Sequence, residues 1–182
     1  MRTLRLLKAD AWRSAPPAHP QPLRAWMTSR GSLTARIKAH ARNFNLVRLK
    51  QLAQLPNVDE RRELGLRLGQ FAIVREVLLQ DNNHVLVFAH SIVARRDLRG
   101  AWRGLSRLGS RPLAEMLFND PKVVRLPMEY RKINSSHPLY LRAQQVAPFP
   151  ATCTWARRSV FIKEGRPLLV TEVFLPAMAL LD

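Results

Sequence analysis

The sequence predicts an α+β fold: a single antiparallel sheet of about six strands with helices packed on it. Three observations point there. Runs rich in Val, Ile, Leu and Phe come in pairs joined by two-residue turn signals, Asn82-Asn83 and Glu164-Gly165, as hairpins require. Regular alternation of strand and helix, which a parallel sheet needs, is missing. A chain of 182 residues with 47% hydrophobic content is long enough for one real core.

The elements follow in order. Residues 1–20, with Pro16, Pro17 and Pro20, read as a flexible segment, and 21–182 as one domain. Gln21 to Thr28 can form a short helix carrying Trp26 into the body. Gly31-Ser32-Leu33 reads as a turn into a helix with Ser32 as N-cap. Phe44 to Leu52 is strand-like and Asp59 to Arg67 helical. Residues 70–80 and 84–95 form the first hairpin, with Asn tolerating the positive φ of its turn. Helices are expected over Asp97 to Leu108 and Pro112 to Phe118. Strands are expected over Val123 to Lys132, Thr152 to Lys163 and Arg166 to Leu175. Asn134 to Ala151, with three prolines, reads as a long loop with a short helix over Leu139 to Gln144, of a kind that often covers a site.

Composition narrows the function. No run of about 18 apolar residues exists, so no membrane span is expected. The N-terminus lacks a secretory pattern, and one cysteine, Cys153, fits a reducing compartment. The reading is a cytoplasmic monomer. The charge is unusual, with 30 Lys+Arg against 13 Asp+Glu and a formal +17. Nucleic acid or an anionic membrane surface is thus a partner to weigh. The arginines are spread along the chain without a basic tail, which argues for a solvated surface and against specific nucleic-acid recognition. The histidines show no metal-ligand spacing, so no metal is expected.

Three polar residues stand on otherwise apolar strand faces. Alternation places Glu172 with Leu168, Val170 and Phe174, and Arg75 with Phe71, Ile73, Val77 and Leu79. It places His90 with Leu86, Phe88 and Ile92. Counting outward from a tight Asn82-Asn83 turn sets Arg75 directly opposite His90. Arg, His and Glu on one apolar face make a pocket for a small organic anion and proton chemistry on it. Arg75 and Glu172 could equally be a buried structural ion pair, and His90 a hydrogen-bonded core histidine.

Several stretches, in this order, resemble chorismate lyase: Gly31-Ser32-Leu33-Thr34, Val74-Arg75-Glu76-Val77-Leu78-Leu79, Leu108-Gly109-Ser110-Arg111-Pro112-Leu113, Trp155-Ala156-Arg157-Arg158-Ser159, and above all Pro167 to Pro176. The resemblance covers roughly residues 20–180. It implies a chorismate-lyase-like fold with a small closed site that eliminates pyruvate from chorismate, leaving 4-hydroxybenzoate for ubiquinone biosynthesis, without metal or cofactor. It also implies that Arg75 binds the ring carboxylate, Glu172 is catalytic, the Leu33 N–H helps hold the product carboxylate, and Leu113 forms pocket wall. The chain departs from the family at His90, where a second arginine is usual. If His90 shares the site with Arg75, burial and that cation favour its neutral form. The alternatives are an effector-binding domain of the same fold, as in some transcription regulators, or a nonspecific nucleic-acid binder. Such regulators carry an N-terminal DNA-binding domain, for which the 20–30 residues before Gly31 leave no room.

Overall fold

The computed structural model describes residues 11–16, 18 and 23–181. Seven strands form one antiparallel sheet: β1 Phe44–Gln54, β2 Ala72–Asp81, β3 His84–Ala94, β4 Val124–Arg125, β5 Glu129–Asn134, β6 Cys153–Lys163 and β7 Arg166–Phe174. Their order across the sheet is β1-β2-β3-β7-β6-β4, with β5 also paired to β6. The seventh strand arises because the run expected over Val123 to Lys132 divides at Pro127, which has no N–H for a ladder. Both pieces pair with β6.

Among the described residues, five α-helices cover the two faces: α1 Leu23–Thr28, α2 Leu33–His40, α3 Val58–Glu63, α4 Leu113–Phe118 and α5 Pro138–Val146. Ser32 caps α2 as its position suggests, accepting a bond from the Ala35 N–H at 3.0 Å. The helix expected over Asp97 to Leu108 is instead two 3₁₀ turns, Arg95–Arg99 and Arg103–Arg107. Gly100 separates them with non-helical backbone, φ −123° and ψ −119°. On the first face, Trp26, Met27 and Ile37 pack on Val77, Leu79 and Phe174, and the 3₁₀ segment buries Trp102 and Leu105 beside Val93 and Phe161. On the second face, Leu139, Tyr140 and Ala143 of α5 pack on Leu78, Phe88 and Val173. The stretch expected as a site-covering loop thus lies mainly on the second face, nucleated where the His137 ring accepts the Leu139 N–H at 3.2 Å.

Most of residues 1–10 and 17–22 lie outside the described part, but residues 11–16 are anchored. Arg13 forms an isolated β-bridge with Tyr130, and Trp12 donates to Asp59 at 2.9 Å. Among the described residues no helix is long and apolar enough to cross a membrane.

Candidate active site

On the first face, β7 pairs Glu172 with Ala89 of β3 on one side and Arg157 of β6 on the other. One pleat further, Arg75, Ser91, Val170 and Ser159 stand in a row across β2, β3, β7 and β6. Arg75 and Glu172 are therefore two strands and two residues apart, roughly 12 Å between Cα atoms by standard strand spacings. The floor between them is β3, which presents only the small side chains of Ala89 and Ser91. Over this floor lies a small cavity, roofed by residues of α2 and α4 that include Leu33, Leu113 and Phe118.

Its charged lining is Arg75, Arg125, Arg157 and Glu172, three cations against one carboxylate. Arg75 is fully buried, and its Nη2 donates to the carbonyls of Arg111 at 2.9 Å and Gly109 at 3.3 Å. Burial, and secondarily the charge of Arg48, lowers it to about 10, so it stays cationic at neutral pH. Its Nε has no hydrogen-bond partner, and neither does Nη2 of Arg157. Buried donors without partners are rare, and here both belong to residues that line the cavity. Arg157 Nε donates to Glu172 Oε2 at 2.5 Å. Its Nη1 reaches the carbonyls of Trp26, Met27 and Ser29 at 2.9–3.1 Å, closing the C-terminal end of α1, where carbonyls are unpaired and a cation is favoured. Arg125 bonds Ser159 Oγ at 3.0 Å and the Arg30 carbonyl at 2.6 Å, and lies over the Phe161 ring at 5.3 Å. Burial is the main reason its pKa falls. Leu33 and Leu113 are the first residues of α2 and α4, where a backbone N–H has no partner within the helix.

The structure thus brings Arg75, Glu172, Leu33 and Leu113 to one cavity and excludes His90. Leu79 pairs with Val87 while Gln80 pairs with Val85, which leaves Leu86 as the extra residue of a β-bulge. Beyond it the register is one residue off the count from the turn. Arg75 faces Ser91, and His90 pairs with Glu76 on the second face. There its Nε2 lies 3.1 Å from Glu60 and its Nδ1 3.4 Å from Glu76. Glu76 also meets Lys50 at 3.1 Å and Arg142 at 2.8 Å. Burial disfavours a charged ring, but Glu60 and Glu76 outweigh it and raise His90 to about 9. The expected neutral histidine beside a cation is instead an imidazolium between two carboxylates. Burial likewise works against an ionised Glu76, yet bonds from His90, Arg142 and Lys50 hold it at about 2.

Two cavity arginines escaped the search for lone polar residues. Arg157 was legible, since counting outward from the Glu164-Gly165 turn sets it opposite Glu172. Arg125 had no such signal, because β4 holds only two residues and owes its place to pairing with Phe161 and Ile162. Among the described residues no group of three or more His, Cys, Asp and Glu side chains could hold a metal ion.

A family model for chorismate lyase matches residues 6–181. The chain belongs to the chorismate lyase family. A probable chorismate pyruvate-lyase of Thiobacillus denitrificans is 46% identical over 159 residues, covering 87% of this chain and 85% of that protein. One from Nitrosomonas europaea is 45% identical over 168 residues, covering 92% and 94%. Among solved structures, the PhnF C-terminal domain superposes with a TM-score of 0.61 at 15% identity, covering 89% of this chain and 96% of that one. A GntR-family transcriptional regulator from Bacillus cereus gives 0.56 at 12%, covering 74% and 92%. At such identities these two structures speak for the fold alone.

Proposed function

We propose that this chorismate lyase eliminates pyruvate from chorismate in the cavity between Arg75 and Glu172, supplying 4-hydroxybenzoate to ubiquinone biosynthesis in the cytoplasm. The observation that carries the reading is the net charge of the lining. Three guanidinium groups and one carboxylate leave an excess of two positive charges, which matches a substrate with two carboxylates. In this reading the monomer is the catalytic unit.

In this reading the ring carboxylate lies at Arg75, whose unpartnered Nε supplies a charge-assisted bond, with the Leu33 N–H beside it and Leu113 against the ring. The hydroxyl-bearing end then points along the floor over Ala89 and Ser91 toward Glu172. Arg125 takes the enolpyruvyl carboxylate. The ring proton beside the hydroxyl leaves, its C–H electrons enter the ring, and the ether C–O bond breaks with its pair on the departing enol. The ring becomes aromatic, which drives the step. The enol takes up a proton at carbon and becomes pyruvate. Glu172 is the carboxylate at hand for the ring proton or the hydroxyl, with Oε2 held by Arg157 and Oε1 turned to the substrate.

Incubating the purified protein with chorismate should yield equal amounts of 4-hydroxybenzoate and pyruvate, undiminished by a chelator. Loss of turnover on chelation, restored by a divalent ion, would overturn this mechanism.

A further inference from the structure

One end of the sheet combines exposed apolar side chains with a field of arginines. Gln54, Ala72 and Ala94 sit side by side on β1, β2 and β3. The next residue outward on each chain segment is Leu55, Phe71 and Arg95, and the Arg95 N–H donates to the Phe71 carbonyl at 3.4 Å. Just before Phe71 the chain makes a tight turn. The Gln70 N–H donates to the Arg67 carbonyl at 3.2 Å, and the Gln70 side chain accepts the Arg67 N–H at 2.8 Å. This turn holds Leu68 at its tip, 88% exposed, with Leu55 51% and Phe71 49% exposed nearby. Turn tips ordinarily carry polar residues, so a leucine fixed in water at this position calls for a partner.

The charges at this end of the sheet are predominantly positive: Arg67, Arg95, Arg96, Arg99 and Arg166 are exposed, against Glu164 in the β6–β7 turn. Asp97 is buried and held by Arg96 and Arg166 at 3.8 and 3.7 Å, and Glu63 is taken by Arg158 at 2.9 Å. A surface that offers leucine and phenylalanine at its tip and guanidinium groups around them matches a bilayer interface. Acyl chains accept the apolar side chains there, and lipid phosphates accept the arginines. A nucleic acid would use the arginines and leave Leu68 without a purpose.

We propose that this end of the sheet docks onto an anionic lipid bilayer surface, with Leu68 and Phe71 entering the interface and Arg67, Arg95, Arg96 and Arg99 meeting lipid phosphates. None of these residues lines the cavity, so the surface serves to place the enzyme and takes no part in its chemistry. The test is co-sedimentation of the full chain with vesicles of phosphatidylcholine alone or mixed with phosphatidylglycerol, at about physiological salt. The mixed vesicles should retain the protein and the neutral ones should not. Leu68→Gln with Phe71→Gln, and separately Arg95→Gln with Arg96→Gln, should each weaken retention at least about fivefold. Both variants should keep the parent melting temperature within a few degrees, and Leu68→Gln alone, at an exposed turn tip, serves if the double change unfolds. Equal retention on both vesicle types, or retention indifferent to Leu68 and Phe71, would overturn the proposal. So would duplex DNA binding as tightly as the vesicles at the same salt with no effect of the glutamine changes at Leu68 and Phe71.

Discussion

The two hairpins of the sheet are built alike and end differently. In β6–β7 the turn residues Glu164 and Gly165 both have positive φ, 51° and 71°, the pattern of a type I′ turn. Pairing then runs without a shift from Lys163 and Arg166 to Ala156 and Val173. Arg157 therefore lands opposite Glu172, and the pair becomes one wall of the cavity. In β2–β3 the turn is also tight, with Asn82 at φ 52° and Asp81 paired to His84. Leu86 then bulges, and every later residue of β3 is turned over relative to the count. Because side chains alternate with a period of two, one extra residue exchanges faces completely. The regular hairpin brings an arginine to its glutamate. The bulged one removes a histidine from its arginine and places Ala89 and Ser91 on the cavity floor.

The strongest way to break this contrast lies in the regular hairpin. Glu172→Gln keeps shape and removes charge, so kcat should fall at least about a thousandfold, ~4 kcal/mol of barrier, in a protein that still folds. Turnover within about threefold of the parent would refute the role given to Glu172.

His90→Leu should act in the opposite sense. It leaves Glu60 and Glu76 without their shared cation in the interior, which should destabilise the fold by about 3 kcal/mol while KM and product affinity hold. Changed product affinity at unchanged stability would return His90 to the site. The same residue predicts a pH dependence. Its folded pKa, about 9, lies above the ordinary value near 6.5. Its contribution is therefore fully present below pH 6.5 and is lost as pH rises through 9. That loss amounts to about 3 kcal/mol, and denaturant unfolding between pH 6.5 and 9.5 should show it in the parent and not in His90→Leu. Glu76, held at about 2, contributes above pH 4.5 and loses its contribution as pH falls through 2. The smallest effect concerns the turn that keeps β6–β7 in register. An alanine Cβ at Gly165 meets nothing within 4 Å, so Gly165→Ala should destabilise by about 1 kcal/mol through its positive φ alone, readable as a small drop in melting temperature with turnover intact.

Local patterns carried the reading of the sequence wherever the physics is local. Alternation marked the long strands, Asn82 and Gly165 marked the tight turns, and Ser32 marked the start of α2, because each depends on a few neighbouring dihedrals and bonds. Lone polar residues on apolar strands picked out Arg75 and Glu172, since a charge is kept on such a face only where something engages it. Pro127 split the expected strand and Gly100 the expected helix, both through backbone limits visible in the letters themselves. What only the tertiary structure decided depends on partners far along the chain. The bulge at Leu86 follows from how β3 must serve two faces at once, under α5 on one side and the cavity on the other. Arg125 joins the site only because β6 recruits a two-residue strand, and His90 holds its charge because α3 brings Glu60 to it and β2 pairs it with Glu76. Side-chain period is a property of the strand, whereas which face meets which partner is a property of the packed whole.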